Sequence, residues 1–259
     1  MKKLLLSMIV LAPAMLFAQS AFDGTWHFST DSAEFAGKPT VLLLKNGMFK
    51  CETCVPKIDT KADGQDHAMS GSPYYDTMSV SEVNDHTVET KSKKNGKVVG
   101  TDKDTVSDDG KTLVSEWTFV ADNGAEGHGK SVSTRTAEGP AGANKVSGSW
   151  KTSKVDNASD NVLTVTYKVN GDEVSMSDPL GDSYTAKLDG KDYPYKGDPG
   201  TTSVSLKKID ANTIEETDKR NGKVISVTKL TVSSDGKSMS VDSMDKLHGT
   251  SSKFKGTKE

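Results

Sequence analysis

The side chains with the most distinctive chemistry are Cys51 and Cys54, the two cysteines of the 259-residue chain. Cysteines at this spacing can form a local disulfide, supply half of a tetrahedral metal site, or act as a redox pair. Residues i and i+3 of an extended strand lie about 10 Å apart, which is too far for a disulfide. We therefore expect a disulfide staple located in a turn, with metal binding and thiol redox chemistry as the alternatives.

A second set of candidate residues lies in two corresponding loops that are rich in tyrosine. His67, Tyr74 and Tyr75 belong to the first loop, and Tyr193 and Tyr195 belong to the second. We expect these side chains at the rim of a β-barrel, where aromatic and imidazole groups suit a ligand with ring and polar parts. The alternative is that they belong to ordinary turns whose rings cap the edge of the core.

Motifs of the common enzyme classes are missing from the sequence. It contains no Gly-x-Ser-x-Gly, HExxH or P-loop pattern, and its five histidines show no recognisable spacing to a nucleophile. The carboxylate-rich segments do not form a complete calcium loop. We therefore assign no catalytic residue, metal ligand or cofactor, and we favour a protein that is not an enzyme.

The candidate residues are positioned by a duplicated framework. Segments 87–113 and 213–239 each carry an Asn-Gly and an Asp-Gly pair at the same spacing, 126 residues apart. Such pairs between runs of Thr and Val are typical of type I′ hairpins. The charged residues of the first copy are interpreted as solvated outer faces of these hairpins: Lys91, Lys93, Lys94, Lys97, Asp102 and Asp104.

The hairpin pattern predicts an all-β fold. We count about eight strands in each copy and find no helical period after the first 20 residues. Consecutive strands with short turns form an up-and-down meander, and closure into a barrel removes its exposed edges. The prediction is two tandem antiparallel meander β-barrels, with the first repeat at 21–137, a linker at 138–145 and the second repeat at 146–259.

Residues 1–20 have the features of a bacterial signal peptide. Lys2 and Lys3 precede an apolar run at 4–17, and small residues suitable for cleavage precede Ala21. The run is too short to favour a membrane span, which needs about 20 apolar residues. We predict an exported protein, periplasmic or extracellular in a bacterium, that does not span the membrane.

Charge and composition narrow the possible partners. The net charge is −3 and no basic patch is visible, so nucleic acid is not an expected partner. Hydrophobic residues make up 33% of the chain, which suits antiparallel sheets that expose one face to water. The oligomeric state is left open.

A Gly-x-Trp pattern opens each repeat, as Gly24-Thr25-Trp26 and Gly148-Ser149-Trp150. Followed by a meander, it resembles the lipocalin and fatty-acid-binding (calycin-like) superfamily of β-barrels, and the chain is similar to lipocalin-like proteins exported by bacteria. The resemblance implies that each Trp closes the base of a barrel and that a basic residue of the last strand lies against it. Arg135 and Lys255 occupy the corresponding positions. Each repeat is shorter than a typical lipocalin and shows no helix before its last strand.

The inward faces of the predicted strands mix Thr, Ser, Glu and Lys with isolated Val, Ile and Leu, so we expect the barrels to keep a cavity. This favours a binding protein for a small apolar or amphipathic molecule. There are two alternatives. One is an envelope protein with filled barrels that has a structural or protein-interaction role, and the other is a CxxC protein with thiol-redox or metal-binding activity. We expect function where the copies differ: at Cys51 and Cys54, at His67 versus Tyr193, and at the longer turn near Asn123.

Overall fold

The computed structural model describes residues 20–259, which form two antiparallel ten-stranded sheets. The predicted signal peptide lies outside the described residues, apart from Ser20. The chain starts with the strand Gly24–Gly37 (β1). The next ten strands form barrel 1: Thr40–Lys45 (β2), Met48–Cys51 (β3), Ile58–Lys61 (β4), His67–Ala68 (β5), Thr77–Asn84 (β6), Thr87–Lys94 (β7), Lys97–Val106 (β8), Thr112–Val120 (β9), Glu126–Glu138 (β10) and Gly148–Ala158 (β11).

A single helical turn, Asp160–Leu163 (α1), leads into the second sheet. Together with β1, the remaining strands form the closed barrel 2: Thr164–Asn170 (β12), Glu173–Ser177 (β13), Ser183–Lys187 (β14), Asp189–Lys196 (β15), Ser203–Lys208 (β16), Thr213–Arg220 (β17), Lys223–Val232 (β18), Ser238–Asp245 (β19) and Thr250–Lys258 (β20). The predicted all-β fold of two antiparallel meander barrels is confirmed, with ten strands in each barrel where about eight per copy were expected.

The first strands of the two repeats are exchanged between the barrels. β1 pairs with β12 and β20 and so closes barrel 2, whereas β11 lies between β10 and β2 in barrel 1. The predicted repeat boundaries therefore mark the sequence duplication, but each barrel contains one strand of the other repeat. Residues 38–39 and 159–163 connect the barrels. The predicted linker 138–145 instead joins β10 to β11 within barrel 1, where Asn144 is buried and donates hydrogen bonds to Glu82 and Asn84.

Gly37, the last residue of β1, and Pro39, which follows the strand, direct the chain from one barrel to the other. Gly37 has a φ of 121°, and a Cβ there would lie 2.6 Å from the Cα of Thr250 on β20. Pro39 follows closely, and its ring fixes φ near −65°, so it cannot take the positive φ that a type I′ hairpin requires. The chain therefore does not fold back on β1 and continues into barrel 1.

Barrel 1 is nearly closed. Its sheet runs from β4 at one edge to β5 at the other. Between these edges Asp63 forms an isolated bridge with Ser81, and the Gly64 N–H donates to the Val80 carbonyl at 2.9 Å. The segment after β4 thus completes the wall that the named strands leave open.

The hairpin turns agree only in part with the prediction. Asn46, Asn95 and Asn221 have φ values of 53°, 52° and 51°, and each precedes a glycine of positive φ, as type I′ turns require. The Asp-Gly pairs are different, because φ is positive at Gly110 but not at Asp109. The Asp109 carboxylate instead accepts hydrogen bonds from the Ser107 hydroxyl and the Lys111 N–H, which stabilises a longer turn.

A buried tryptophan lies near one end of each barrel, which we call the base. Trp26 and Trp150 are 0% and 2% exposed, and their indole N–H groups donate to the carbonyls of Phe22 and Val146. Alternating apolar residues of the surrounding strands pack against each indole and form one hydrophobic core per barrel. Both tryptophans are thus core residues, and their closing of the barrels stays a prediction.

A cation lies over each indole face, at a position fixed by strand register. Arg135 is directly opposite Trp150, with its guanidinium 4.0 Å from the ring centroid, and it donates to the carbonyls of Ser147 and Lys145 at 2.7 and 2.6 Å. In barrel 2 the equivalent residue is Lys258, whose ammonium is 4.9 Å from the Trp26 ring. Because of the strand exchange, Arg135 contacts the tryptophan of the other repeat.

The prediction that Lys255 contacts a tryptophan is wrong. Lys255 pairs with Ser29 and its side chain is exposed, while Lys258 donates to the carbonyls of Ala21 and Asp23 at 3.1 and 2.6 Å. The error comes from aligning the two repeats on their His-Gly pairs, His128-Gly129 and His248-Gly249. The cation over the indole follows the histidine by seven residues in the first repeat and by ten in the second, so an equal count ends three residues short, at Lys255.

The two lysines of β20 give a matched test of this base. Replacing Lys258 with Ala removes the cation over Trp26 and two hydrogen bonds to carbonyls, so we expect the free energy of unfolding to fall by about 1–3 kcal/mol. Lys255→Ala should change it by about 0.5 kcal/mol or less, because that side chain is exposed. Urea denaturation followed by tryptophan fluorescence measures both, and equal losses would contradict the assignment of Lys258.

Candidate functional site: a pocket between the barrel mouths

The barrel ends opposite the tryptophan bases, which we call the mouths, face each other. The longer turn near Asn123 lies at the mouth of barrel 1 and reaches barrel 2, where the Asn123 side chain donates to the Pro179 carbonyl at 3.3 Å. Gly181 of the same barrel 2 loop packs on Asn123, and a Cβ there would lie 2.9 Å from its amide nitrogen. The turn that distinguishes the two copies thus forms part of the contact between the barrels.

A cavity of about 400 Å³ lies between these mouths, and we call it the mouth pocket. Both barrels contribute walls that are largely apolar, with charged groups at a few positions. Barrel 1 supplies Tyr74, Tyr75, Ser92, Lys94, Gly100, Phe119 and Asp122, and barrel 2 supplies Leu180, Asp182, Gly197, Asp198 and Pro199.

The five predicted ligand-binding residues lie in different places. Tyr74 and Tyr75 line the mouth pocket, and Tyr195 lies beside it with its hydroxyl 3.4 Å from Asp182. His67 and Tyr193 lie elsewhere: the His67 ring contacts Asp63 at 2.8 Å on β5, and the Tyr193 hydroxyl donates to Asp189 at 3.1 Å on β15. The structure therefore brings three of the five tyrosine-loop residues together and separates the other two.

Tyr74 connects the barrels at the edge of the pocket. The residue keeps 44% of its surface exposed, but its hydroxyl end is enclosed between the barrels and packs on Gly200. This burial, together with the nearby Asp198 carboxylate, raises the pKa of Tyr74 to about 12. A side chain at position 200 would collide with the phenol, so the contact depends on a glycine there.

Of the two half-buried carboxylates that line the pocket, Asp182 and Asp198, Asp182 accepts fewer hydrogen bonds. Burial and the neighbouring carboxylates of Asp178 and Asp198 raise the pKa of Asp182 to about 6. Asp178 accepts two backbone N–H groups, and Asp198 accepts the Gly200 N–H and the Thr201 hydroxyl. Within residues 20–259, the Tyr195 hydroxyl at 3.4 Å is the one hydrogen-bond donor to the Asp182 carboxylate.

Behind Asp182 the interior of barrel 2 contains two further carboxyl groups. The Tyr184 hydroxyl donates to Glu216 at 2.5 Å, and the Ser226 hydroxyl donates to Asp218 at 2.6 Å. Burial, and next the proximity of Asp218, raise the pKa of Glu216 to about 8, so that it holds a proton at neutral pH. One oxygen of Asp218 is buried without a hydrogen-bond partner in the described part of the chain.

A signal for Glu216 and Asp218 was present in the sequence, but the sequence-based prediction did not use it. Ile214, Glu216 and Asp218 alternate along β17, and side chains two apart on a strand share a face. Because Ile214 belongs to the core of barrel 2, both acids had to point inward.

Three charged residues of barrel 1 correct the interpretation of its hairpins as solvated outer faces. Asp104 is 9% exposed and accepts a hydrogen bond from the Ser115 hydroxyl inside the barrel, and Lys94 lines the mouth pocket. Asp102 lies opposite Trp117 on the inward face of β8. Burial and then the neighbouring Asp104 raise the pKa of Asp102 to about 8, and burial also raises the pKa of Asp104. By contrast, Lys91 and Lys97 are exposed, as expected.

Two aromatic rings of β9 lie above glycines of β10. Phe119 faces Gly127 and Trp117 faces Gly129, and the two rings stack with centroids 6.1 Å apart. A Cβ at either glycine would collide with the ring opposite. The missing side chains therefore make room for Phe119 to form one wall of the mouth pocket.

The predicted disulfide is confirmed. Cys51 and Cys54 are bonded, with Cα atoms 5.4 Å apart, where β3 ends and the chain turns. Cys51 is 1% exposed and belongs to the core of barrel 1. The pair lies outside the mouth pocket. In the described ranges, His, Cys, Asp and Glu side chains form no group of three or more suited to hold a metal ion.

Comparison with protein-family models, with curated proteins and with solved structures finds no match to this chain. In the stretch from residue 20 to the C-terminus, no helix has the length and apolar character needed to cross a membrane.

The buried acids of barrel 1 make a prediction about stability and pH. Because the folded protein keeps the proton of Asp102 to higher pH than the unfolded chain does, stability contributed by Asp102 is present at low pH and falls as pH rises from about 4 to about 8. Asp102→Asn should flatten this decline in urea denaturation measured at several pH values.

Asp109→Asn is the matched control for this experiment. Hydrogen bonds from Ser107 and Lys111 lower the pKa of Asp109, so its contribution is lost only as pH falls through the acidic range. The variant should leave the slope between pH 5 and 8 unchanged. An unchanged slope in Asp102→Asn would show that Asp102 is ionised in the folded protein.

Proposed function

We propose that this chain is an exported, non-catalytic binding protein that holds a small amphipathic molecule in the mouth pocket. The observation that carries the proposal is the cavity of about 400 Å³ between the barrels, with aromatic and aliphatic walls and a few charged groups. Sites for small ligands are commonly concave, largely apolar and about 300–1,000 Å³ in volume.

The residues that line the mouth pocket support binding more than catalysis. Tyr75, Phe119, Leu180 and Pro199 provide the apolar walls, which exclude water from a ligand body. The polar groups are carboxylates and one ammonium, a combination that orients a ligand. No nucleophile paired with a base lines this cavity among the described residues.

We also propose that the fold is calycin-like. The support is the buried tryptophan with a cation on its face at each base, combined with ten-stranded meander barrels. In this proposal the bases are scaffold and the ligand enters at the mouth.

A structural or protein-interaction role is the second candidate. It is favoured by the packing of the lower half of each barrel, where Trp26 and Trp150 and their cores leave both bases filled. In that case the mouth pocket would be a gap in the interface between the two barrels, with no affinity for small molecules.

Filling the mouth pocket tests the proposed function. Gly100 lies on β8 opposite Phe119, and a Cβ there would make ordinary contacts, 3.5 Å from the Thr118 carbonyl oxygen and 3.9 Å from Ser92. Gly100→Leu should therefore fold and should extend its side chain into the pocket. We expect affinity for a neutral lipophilic fluorescent probe, N-phenyl-naphthylamine, to fall by about tenfold or more in fluorescence titration.

Thr101→Leu is the matched control, because Thr101 points to the other face of β8, where it contacts Thr118. It should bind the probe like the unmodified protein. If the unmodified protein takes up no probe, and native mass spectrometry shows no retained small molecule, the second candidate role replaces binding.

Export is tested separately by mass. If residues 1–20 act as a signal peptide, the protein recovered from the periplasm or medium of an expressing bacterium should begin at Ala21, with Gln19 as the alternative start. Intact-mass measurement distinguishes these forms from the full chain. Retention of residues 1–20 on a protein found only in the cytoplasm would contradict export.

A further inference from the structure

We infer that the mouth pocket selects an organic cation, a protonated amine on an aromatic or apolar body, and that Asp182 receives the ammonium group. This inference rests on the proposed binding function and adds the chemical class of the ligand. It follows from the shape of the cavity, from the charges around it and from the hydrogen bonds that those charges already make.

The charges at the pocket are predominantly negative. Asp122, Asp182 and Asp198 line it, against one cation, Lys94. The Lys94 ammonium already donates to the Pro73 carbonyl at 2.9 Å. A ligand that carries a positive charge would reduce the repulsion among these carboxylates, whereas an anion would increase it.

Further carboxylates behind and beside the pocket add to its negative electrostatic potential. Asp178 and Asp218 lie on the barrel 2 side, where, in addition to burial, Asp178 helps to raise the pKa of Asp182 and both help to raise the pKa of Tyr195. Arg220 is a second cation at this rim, and its guanidinium donates to the Gly200 carbonyl. The four aspartates at and beside the pocket still outnumber these two cations, so the local field favours an added cation.

Asp182 is the acceptor best placed to receive an ammonium group. Asp122 is exposed to water, and both oxygens of Asp198 are used by Gly200 and Thr201. Asp182 is half-buried and has one long hydrogen bond, from Tyr195. Its carboxylate lines the pocket and therefore keeps unused lone pairs there.

The rest of the ligand must be compact and apolar. Tyr75 and Phe119 form a wall on the barrel 1 side, and Leu180 and Pro199 form the facing wall. The cavity of about 400 Å³ between these walls has room for a body of one or two rings. Rings against Tyr and Phe also gain edge or stacking contacts.

Three probes that share one body and differ in charge test the inference: phenethylamine, phenethyl alcohol and hydrocinnamate. Each competes with N-phenyl-naphthylamine for the unmodified protein at neutral pH. We expect the amine to bind about ten- to a hundredfold more tightly than the alcohol, because a charge-assisted hydrogen bond forms in a partly buried site. The carboxylate should bind more weakly than the alcohol.

Asp182→Asn should abolish the preference for the amine over the alcohol. Asp192→Asn is the control, because this carboxylate pairs with Lys219 away from the pocket, and it should keep the preference. If Asp182→Asn does not fold, as judged by circular dichroism, Lys94→Gln provides an independent test. Removal of the pocket's own ammonium should increase the preference for the amine over the alcohol several-fold.

The outcomes separate the two proposals. Equal affinity for all three probes overturns the inference of an organic cation and leaves the binding function standing. The role of Asp182 is overturned if the Asp182→Asn variant still prefers the amine. It is also overturned if the Lys94→Gln variant shows the same preference as the unmodified protein. If neither the naphthylamine nor any probe binds, the proposed function itself fails and the inference fails with it.

Discussion

The pairing of β1 with β12 and β20 is the constraint on which the rest of the structure depends. It closes barrel 2, and with the reciprocal placement of β11 in barrel 1 it ties the two repeats together by hydrogen-bonded strands on both sides. Barrels connected by a flexible linker would be free to separate. Here the connections are two and five residues long, so the mouths are held against each other and can enclose a cavity.

The two ends of each barrel serve different purposes. At the base, both repeats keep a Gly-x-Trp strand, an indole N–H bonded to a carbonyl four residues earlier and a cation over the ring. At the mouth the repeats differ, because the turn near Asn123 is longer in the first repeat and contacts barrel 2. The common features form the scaffold, and the differences form the pocket.

The interiors of the barrels also differ in where they place carboxyl groups. In barrel 2 the acids Glu216 and Asp218 lie on β17, whereas in barrel 1 Asp102 and Asp104 lie on the next strand of the hairpin, β8. Each pair accepts hydrogen bonds from hydroxyl groups, and burial nevertheless raises the pKa of its members. Because the positions are not equivalent in the two repeats, these acids are additions to the scaffold.

Much of this fold could be read from the residues alone. Strand alternation, the Asn-Gly turns and the local disulfide of Cys51 and Cys54 depend on backbone preferences and side-chain periodicity, which act within a few residues. The place of the two tryptophans was implied by the resemblance of the Gly-x-Trp pattern. The candidate site was located only in part. Tyr74, Tyr75 and Tyr195 lie at or beside the pocket, but Asp182 and Phe119 come from segments that carry no distinctive local pattern.

The sequence by itself determined the strands, the turns and the two bases of this protein. The tertiary structure alone decided which Gly-x-Trp strand closes which barrel. Both strands offer the same backbone groups and the same indole to either partner, so local preferences cannot choose between them. The choice is made by the connection at Gly37 and Pro39, which cannot form a tight hairpin, and by the close packing of Gly37 on Thr250. The mouth pocket is a consequence of that choice, since its two walls come from different barrels.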